Sequence, residues 1–521
     1  MKLTERKTVL LLFLAALISR ILIFVVFGNE LIVGSDQIDY IGLGHHVAAG
    51  NPQGVLHTYW PPLFPMVLGL AEVFIDGLVF PAVVVAVLAG SVAIPLIYYF
   101  VKQSYGRPEA VIAAVLAIFY PHLINSVFAI GSENIYLLLI ILCLYTGWKA
   151  VTSDSLLYYA ITGGIVGLAY LSRPEAIGYP AFFIAAILVR NLWQRKEFLR
   201  RSATYCGVFL AAFLLFATPY LIYLRGETGR WTVSGKTEIN TVMGDYSRVA
   251  EKVYESEVEP TISLETGRVV LYLIAGNLIE INKSIPYLVP PIVTVFVGLG
   301  LFATGWGAPR AKREIYLITF CVLTLLGYAA AVVQTRYFYI LLPIILGWAA
   351  KGILAFGSWF RSSTRDVNGV VTPRIKPTYM HAICLAVLLL YLLPLNFFMR
   401  SRREAWHDRP YEERAAGIWL SENARPMAKV FSARKITPFY AEAIQVSPKT
   451  TELSQLLDEV RNSDIEYVVS GDRGNKRNPF LEDLEKELQV DPGFELVYNN
   501  DENDDYTISI YKRKQATHVS K

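Results

Sequence analysis

Charge is scarce in this chain, and cysteine is scarcer. Of 521 residues only 18% are charged, against 54% hydrophobic and 13% aromatic, and the mean hydropathy is +0.40. A soluble domain carries about 25% charge, so this composition excludes a soluble enzyme of this size and reads as an integral membrane protein. The four cysteines, Cys143, Cys206, Cys321 and Cys384, all fall inside apolar runs. They lack the pairwise spacing of a disulfide framework or a metal knuckle, which leaves them as buried thiols. There is no Gly-rich phosphate loop, no nucleophile elbow and no metal-ligand spacing, so no metal and no cofactor are expected. The net charge of +4 comes from short basic clusters between apolar runs, which leaves no basic stripe for nucleic acid. Residues 28–78 contain no lysine or arginine at all.

What is abundant is apolar runs of spanning length. A crossing takes about 20 mostly apolar residues, and basic residues in short loops stay on the cytoplasmic side. The two rules agree on about eleven crossings, N-terminus in and C-terminus out. They place them at 8–27, 79–101, 108–128, 133–150, 156–171, 175–190, 203–224, 285–304, 315–332, 338–357 and 379–398. The first run follows the basic start MKLTERK with no small-residue cleavage site after it, so it is expected to stay as a helix. Two large outer loops result, 28–78 and 225–284, and the apolar stretch Leu63 to Phe74 in the first is expected to lie at the interface. Residues 1–400 thus form a transmembrane domain. Residues 401–521 are polar, with strand-like runs at 429–432, 465–470, 495–498 and 506–511 and amphipathic helices at 453–460 and 480–488. They predict a small extracytoplasmic α/β domain to which no chemistry is assigned.

This topology brings Asp36, Asp39, Glu133, Arg173, Glu175, Arg336 and Tyr337 to one membrane surface. Charges near hydrocarbon are costly unless paired or wetted, so such a set reads as a functional site. Asp36, about nine residues beyond the first helix, is placed to act as a general base; it also suits a helix cap, with Ser35 beside it. Glu133 opens a helix, where an acid is favourable in any case. Arg173 and Arg336 suit snorkelling anchors as well as ligands, and Arg20 suits snorkelling or pairing with an acid. His45 and His46 are adjacent, so on a helix their rings point apart and make a poor metal pair.

The order of these features resembles the polyprenyl-phosphate-sugar-dependent glycosyltransferases of the GT-C fold, the group of the protein O-mannosyltransferases and the lipid A aminoarabinose transferases. The matching residues are Arg20 in the first helix, Asp36, Tyr40, then Tyr59-Trp60-Pro61-Pro62-Leu63-Phe64-Pro65. Further along come Glu133 in SENIYLLLIILCLY, the hairpin LAYLSRPEAIGYPA with Arg173, and RYFYILLPIILGW with Arg336 and Tyr337. The resemblance spans most of residues 8–400 in order. It implies a multi-pass plasma-membrane enzyme with its active site on the extracytoplasmic face. Such an enzyme moves a sugar, with inversion, from a lipid-linked donor to a protein, glycolipid or glycan acceptor. Asp36 is then the catalytic base and Glu133 its partner, while Tyr40, Tyr59, Trp60, Arg20, Arg173, Arg336 and Tyr337 bind substrate.

Two positions depart from the family pattern: Gln37 stands where an acid often follows Asp36, and Trp60 where a lysine or arginine often precedes Pro-Pro. That basic residue is thought to hold the donor's phosphate, so the task passes to Arg336, Tyr337, Arg230 or Lys236. Two other classes fit the residues alone: a flippase or transporter of lipid-linked glycans, and a membrane scaffold that displays the C-terminal domain. The first would place ionisable groups near the bilayer midplane. The second would lose all function on deletion of 405–521.

Overall fold

The computed structural model describes residues 4–28, 31–128, 130–153, 155–194, 197–235, 264–330, 333–363, 377–406, 410–500 and 506–514. The chain divides into two compact units, Met1–Asn29 with Leu43–Arg400, and Glu30–Gly42 with Ser401–Lys521.

In the first unit each expected apolar run has its helix. Nine are continuous: Glu5–Phe27, Phe80–Ser104, Glu133–Thr152, Leu156–Ser172, Tyr179–Gln194, Phe198–Thr228, Ala308–Ala329, Leu342–Ser363 and Pro377–Trp406. The other two are broken, Arg107–Phe119 meeting Pro121–Phe128 at 61° and Ile274–Leu288 meeting Pro291–Phe302 at 97°. Among the described residues seven helices are long and apolar enough to span a membrane, or nine if each bent pair is one span. Leu156–Ser172 is too short for that criterion, and Ala308–Ala329 carries Arg310, Lys312, Arg313 and Glu314 in its first turns.

The second expected loop, 225–284, is corrected. Helix continues to Thr228 and resumes at Leu264. Asn277, Glu280, Asn282 and Lys283 dilute the apolar signal of that second helix, so hydropathy reads it as loop. Residues 236–263, Lys236 among them, lie outside the described residues.

The breaks follow from proline. Pro121, Pro290 and Pro291 donate no N–H, so each break frees carbonyls, and in an apolar interior these need donors. The two broken helices supply each other: Tyr120 Oη donates to the Leu288 carbonyl at 2.5 Å, and His122 Nε2 to that of Tyr287 at 2.7 Å. Elsewhere small residues let backbones touch, the usual way apolar helices associate in lipid. A Cβ at Gly300 would meet the Trp348 carbonyl oxygen at 1.9 Å, and one at Gly352 the Phe296 oxygen at 1.8 Å. The helices Pro291–Phe302 and Leu342–Ser363 are thereby held close.

Polar side chains in this unit gather in two layers. Around the start of Ala308–Ala329, Glu314 is fully buried, accepting from Tyr105 Oη at 2.7 Å and Trp348 Nε1 at 2.9 Å. Beside it Arg310 donates to the carbonyls of Gly300 and Leu301, both at 2.8 Å, capping the end of Pro291–Phe302. The other layer, around Tyr328 near the far end of the same helix, is the candidate site.

The second unit holds a five-stranded sheet, β1 Lys429–Phe431, β2 Ile444–Val446, β3 Tyr467–Gly471, β4 Phe494–Asn499 and β5 Ile508–Arg513, in the order β2-β1-β3-β5-β4. Strands β2, β1 and β3 are parallel, and β5 is antiparallel to both its neighbours. Leu456, Val460, Leu481, Leu484 and Leu488 from the helices Leu453–Asn462 and Phe480–Val490 cover Phe431, Val468 and Tyr511. The spacing of these leucines, three and four apart, makes each helix amphipathic.

Candidate functional site

Helix Glu133–Thr152 begins with its acid in the first turn, where the helix dipole favours a negative charge. Gly131 stands in the approach: a Cβ there would lie 2.2 Å from Glu133 Oε2. Arg173, at the end of Leu156–Ser172, donates from Nη1 to Glu133 at 3.0 Å and from Nη2 to Glu175 at 3.1 Å. Arg336, in the turn before Leu342–Ser363, brings Nε to 3.6 Å from the same Glu133 oxygen. It also donates to Gln334 Oε1 at 2.7 Å. The Arg173 guanidinium lies 4.5 Å from the ring centroid of Tyr337, and that of Arg336 5.6 Å from it. Tyr328 stacks on Tyr337 at 5.3 Å, and Tyr136 lies 5.7 Å from Arg173.

Four sequence-predicted site residues, Glu133, Arg173, Arg336 and Tyr337, therefore meet. Two carboxylates and two guanidiniums balance in charge but not in exposure. The side chain of Arg173 is 9% exposed and that of Glu133 10%, whereas Arg336 keeps 40%. Arg173 is locked between two acids, as a buried charge must be. Arg336 offers part of its donor fork to the outside, the planar geometry that suits a phosphate. Because Glu133 is spoken for by two cations, the chemistry it suits best is holding those cations in place.

The remaining predicted residues of this unit sit elsewhere. Tyr59 and Trp60 pack edge to face at 4.5 Å, and their backbone N–H groups donate to His57 Nδ1 at 3.0 and 3.3 Å. Trp60 is buried, and the His57 and Leu56 carbonyls accept from Tyr220 and Tyr223 at 2.8 and 3.1 Å. That segment is pinned to Phe198–Thr228. His45 Nδ1 is 2.5 Å from Glu72. Arg20 neither snorkels nor pairs with an acid. It is fully buried, donating to the carbonyls of Ala16 at 3.1 Å and Leu123 at 3.4 Å with Gly90 against its Nε. The break at Pro121 supplies that carbonyl, which is why the charge lies deep.

Asp36, Asp39 and Tyr40 belong to the second unit. Asp36 is half-buried in the first turn of helix Ser35–Ala48 and is not its cap. Gln37 reaches back three residues and accepts from the Gly34 N–H at 2.7 Å, half of a capping box, so capping falls to the residue that departs from the family pattern. Asp39 is taken by Lys435 at 2.6 Å, and the Val33 N–H donates to Tyr440 Oη at 3.1 Å. Tyr40 is buried. Asp36 is thus the acid of this segment neither capping the helix nor paired with Lys435.

Three participants went unread. Tyr136 and Tyr328 flank the guanidiniums; the signal for Tyr136 was its place one helical turn after Glu133. Glu314 was legible as the lone acid in the basic run ARAKREIY.

The fold is that of the GT-C glycosyltransferases. ArnT of Cupriavidus metallidurans bound to undecaprenyl phosphate superposes with a TM-score of 0.61 at 12% identity over 97% of this chain and 98% of that one. The oligosaccharyltransferase of Archaeoglobus fulgidus in complex with zinc and sulfate gives 0.53 at 14% identity, over 89% and 67%. Its apo form gives 0.51 at 13% identity, over 89% and 69%. Among curated proteins no sequence matches. Residues 60–223 match the family model of the dolichyl-phosphate-mannose-protein mannosyltransferases. Fold and family match agree with the resemblance read in the sequence and support a membrane glycosyltransferase that uses a lipid-phosphate-linked sugar.

Proposed function

We propose that this protein transfers a sugar from a polyprenyl-phosphate carrier to a hydroxyl or amine of a protein, glycolipid or glycan acceptor, at the extracytoplasmic face of a plasma membrane. The observation that carries this reading is the convergence of Arg173 and Arg336 on Glu133 beside Tyr337. Arg336, partly exposed and held by Glu133, supplies the phosphate-binding cation that Trp60 does not. The Asp36 carboxylate takes the proton of the acceptor as its oxygen or nitrogen attacks the sugar's anomeric carbon. The bond from that carbon to the phosphate oxygen breaks on the opposite face, giving inversion, and the electron pair leaves with the polyprenyl phosphate. A positioned general base is worth about 10²- to 10⁴-fold, and fixed cations facing the leaving phosphate add electrostatic stabilisation. A carrier lipid that arrives through the membrane needs no nucleotide-binding motif, and none is present in the sequence.

Envelope glycans of cells with and without the protein, compared by mass spectrometry, identify the product. A sugar substituent is expected to disappear with the protein and to return with the wild type but not with Asp36→Asn. Identical glycan profiles in all three strains would contradict the reading.

A further inference from the structure

The second unit carries a pocket that the transfer reaction does not use. Its walls include Glu412, Glu413, Ser432, Arg434, Ser470 and Arg473. Ser432 and Arg434 follow the end of β1, while Ser470 ends β3 and Arg473 follows it. The chain leaves β1 for β2 on one side, and β3 returns on the other. The pocket therefore opens at the carboxyl ends of parallel strands where their order reverses, the place where open α/β sheets bind ligands.

Its chemistry is specific. Glu413 is 4% exposed, yet its Oε2 is buried with no hydrogen-bond partner, and Arg434 Nε has none either. Glu413 pairs with Arg434 and Glu412 with Arg473, whose guanidinium lies 4.0 Å from the Tyr506 ring centroid. Two carboxylates and two guanidiniums cancel, so a cation meets as much repulsion as attraction, and so does an anion. A buried carboxylate oxygen without a donor is costly. Neighbouring hydroxyls satisfy both kinds of wall at once, one O–H donating to a carboxylate while an oxygen accepts from a guanidinium. Burial, with Glu412 adding to it, pushes the Glu413 carboxyl up to about 7, so the group is poised to exchange donor and acceptor roles near neutrality.

We propose that this pocket binds a neutral sugar residue through its vicinal hydroxyls, making the C-terminal unit a glycan-binding module. All its walls lie in the second unit, so the inference stands apart from the catalytic residues proposed above, and transfer assayed on the same preparations reports on those separately.

Saturation-transfer NMR on the full-length protein in detergent tests it. Mannose, glucose, galactose and arabinose serve as neutral probes; glucosamine, glucuronate and inorganic phosphate serve as charged ones. At least one neutral sugar is expected to bind, and Glu413→Gln or Arg434→Gln to weaken it about tenfold, the loss of one charge-assisted hydrogen bond. Hydrogen exchange of the wild type needs no variant: the sugar is expected to slow exchange in residues 430–437 and 467–475. Binding of charged probes alone, no binding of any neutral sugar, or sugar binding that leaves those two segments unprotected would overturn the proposal.

Discussion

Arg173 and Arg336 share one carboxylate oxygen but differ in burial, and the difference separates their mutants. Arg173→Ala leaves Glu133 and Glu175 without their common cation in a buried place. Removing one partner of a buried pair costs about 3–5 kcal/mol, so the unfolding temperature in detergent is expected to fall sharply. Arg336→Gln removes a half-exposed cation. Stability is expected to change by less than about 1 kcal/mol, while transfer falls about 10²-fold, as for loss of one electrostatic stabiliser. Equal loss of stability in the two variants would contradict the division of roles. At Glu413 the folded pKa is raised to about 7 from the ordinary 4.5. Between those values the folded unit binds more protons than the unfolded one. Its stabilising effect is therefore complete below about 4.5 and is lost as pH rises through about 7. Hydrogen exchange of β1 and β3 in the full chain is expected to quicken from pH 5 to pH 8, and Glu413→Gln to flatten that dependence.

At the scale of elements, the tether between Glu30–Gly42 and the C-terminal residues changes what the tail means. Read alone, the tail had no chemistry, and a transferase core was expected to survive its removal in part. In the structure the segment bearing Asp36 packs with Ser401–Lys521, through Asp39 to Lys435 and Val33 to Tyr440. Deleting 405–521 is therefore expected to abolish transfer. Lys435→Met is the milder test. The pair is half-exposed and worth at most about 1 kcal/mol of stability, so turnover should drop several-fold with the unfolding temperature nearly unchanged. Asp39→Asn should do the same, with the double variant no worse than either single one, as expected for partners. Additive losses would mean the two residues act independently.

Across the whole molecule, the apolar runs were legible because a spanning helix must satisfy its backbone internally and announces itself by hydropathy alone. The tail's strands at 429–431, 467–471, 494–499 and 508–513 were legible from alternation, whereas the three-residue β2 and the helix Tyr411–Asn423 were too short or too polar to signal. The bends at Pro121 and Pro290 were visible only as prolines, since a break angle depends on what accepts the freed carbonyls. At the site, burial depth sorted Glu133, Arg173, Arg336 and Tyr337 to one level, and the structure joins them. Arg20 was misread because its partners are carbonyls freed by a kink elsewhere in the chain. Gln37 looked like a departure from a pattern until its cap was seen.

The central claim is that Asp36 serves a transfer of sugar from a lipid phosphate. Its most direct test is release of free polyprenyl phosphate from a polyprenyl-phosphate-linked sugar by purified protein in detergent, with membrane extract as acceptor source. The account predicts release by the wild type and none above background by Asp36→Asn at an unchanged unfolding temperature. Full release by Asp36→Asn, or none by the wild type, would contradict it.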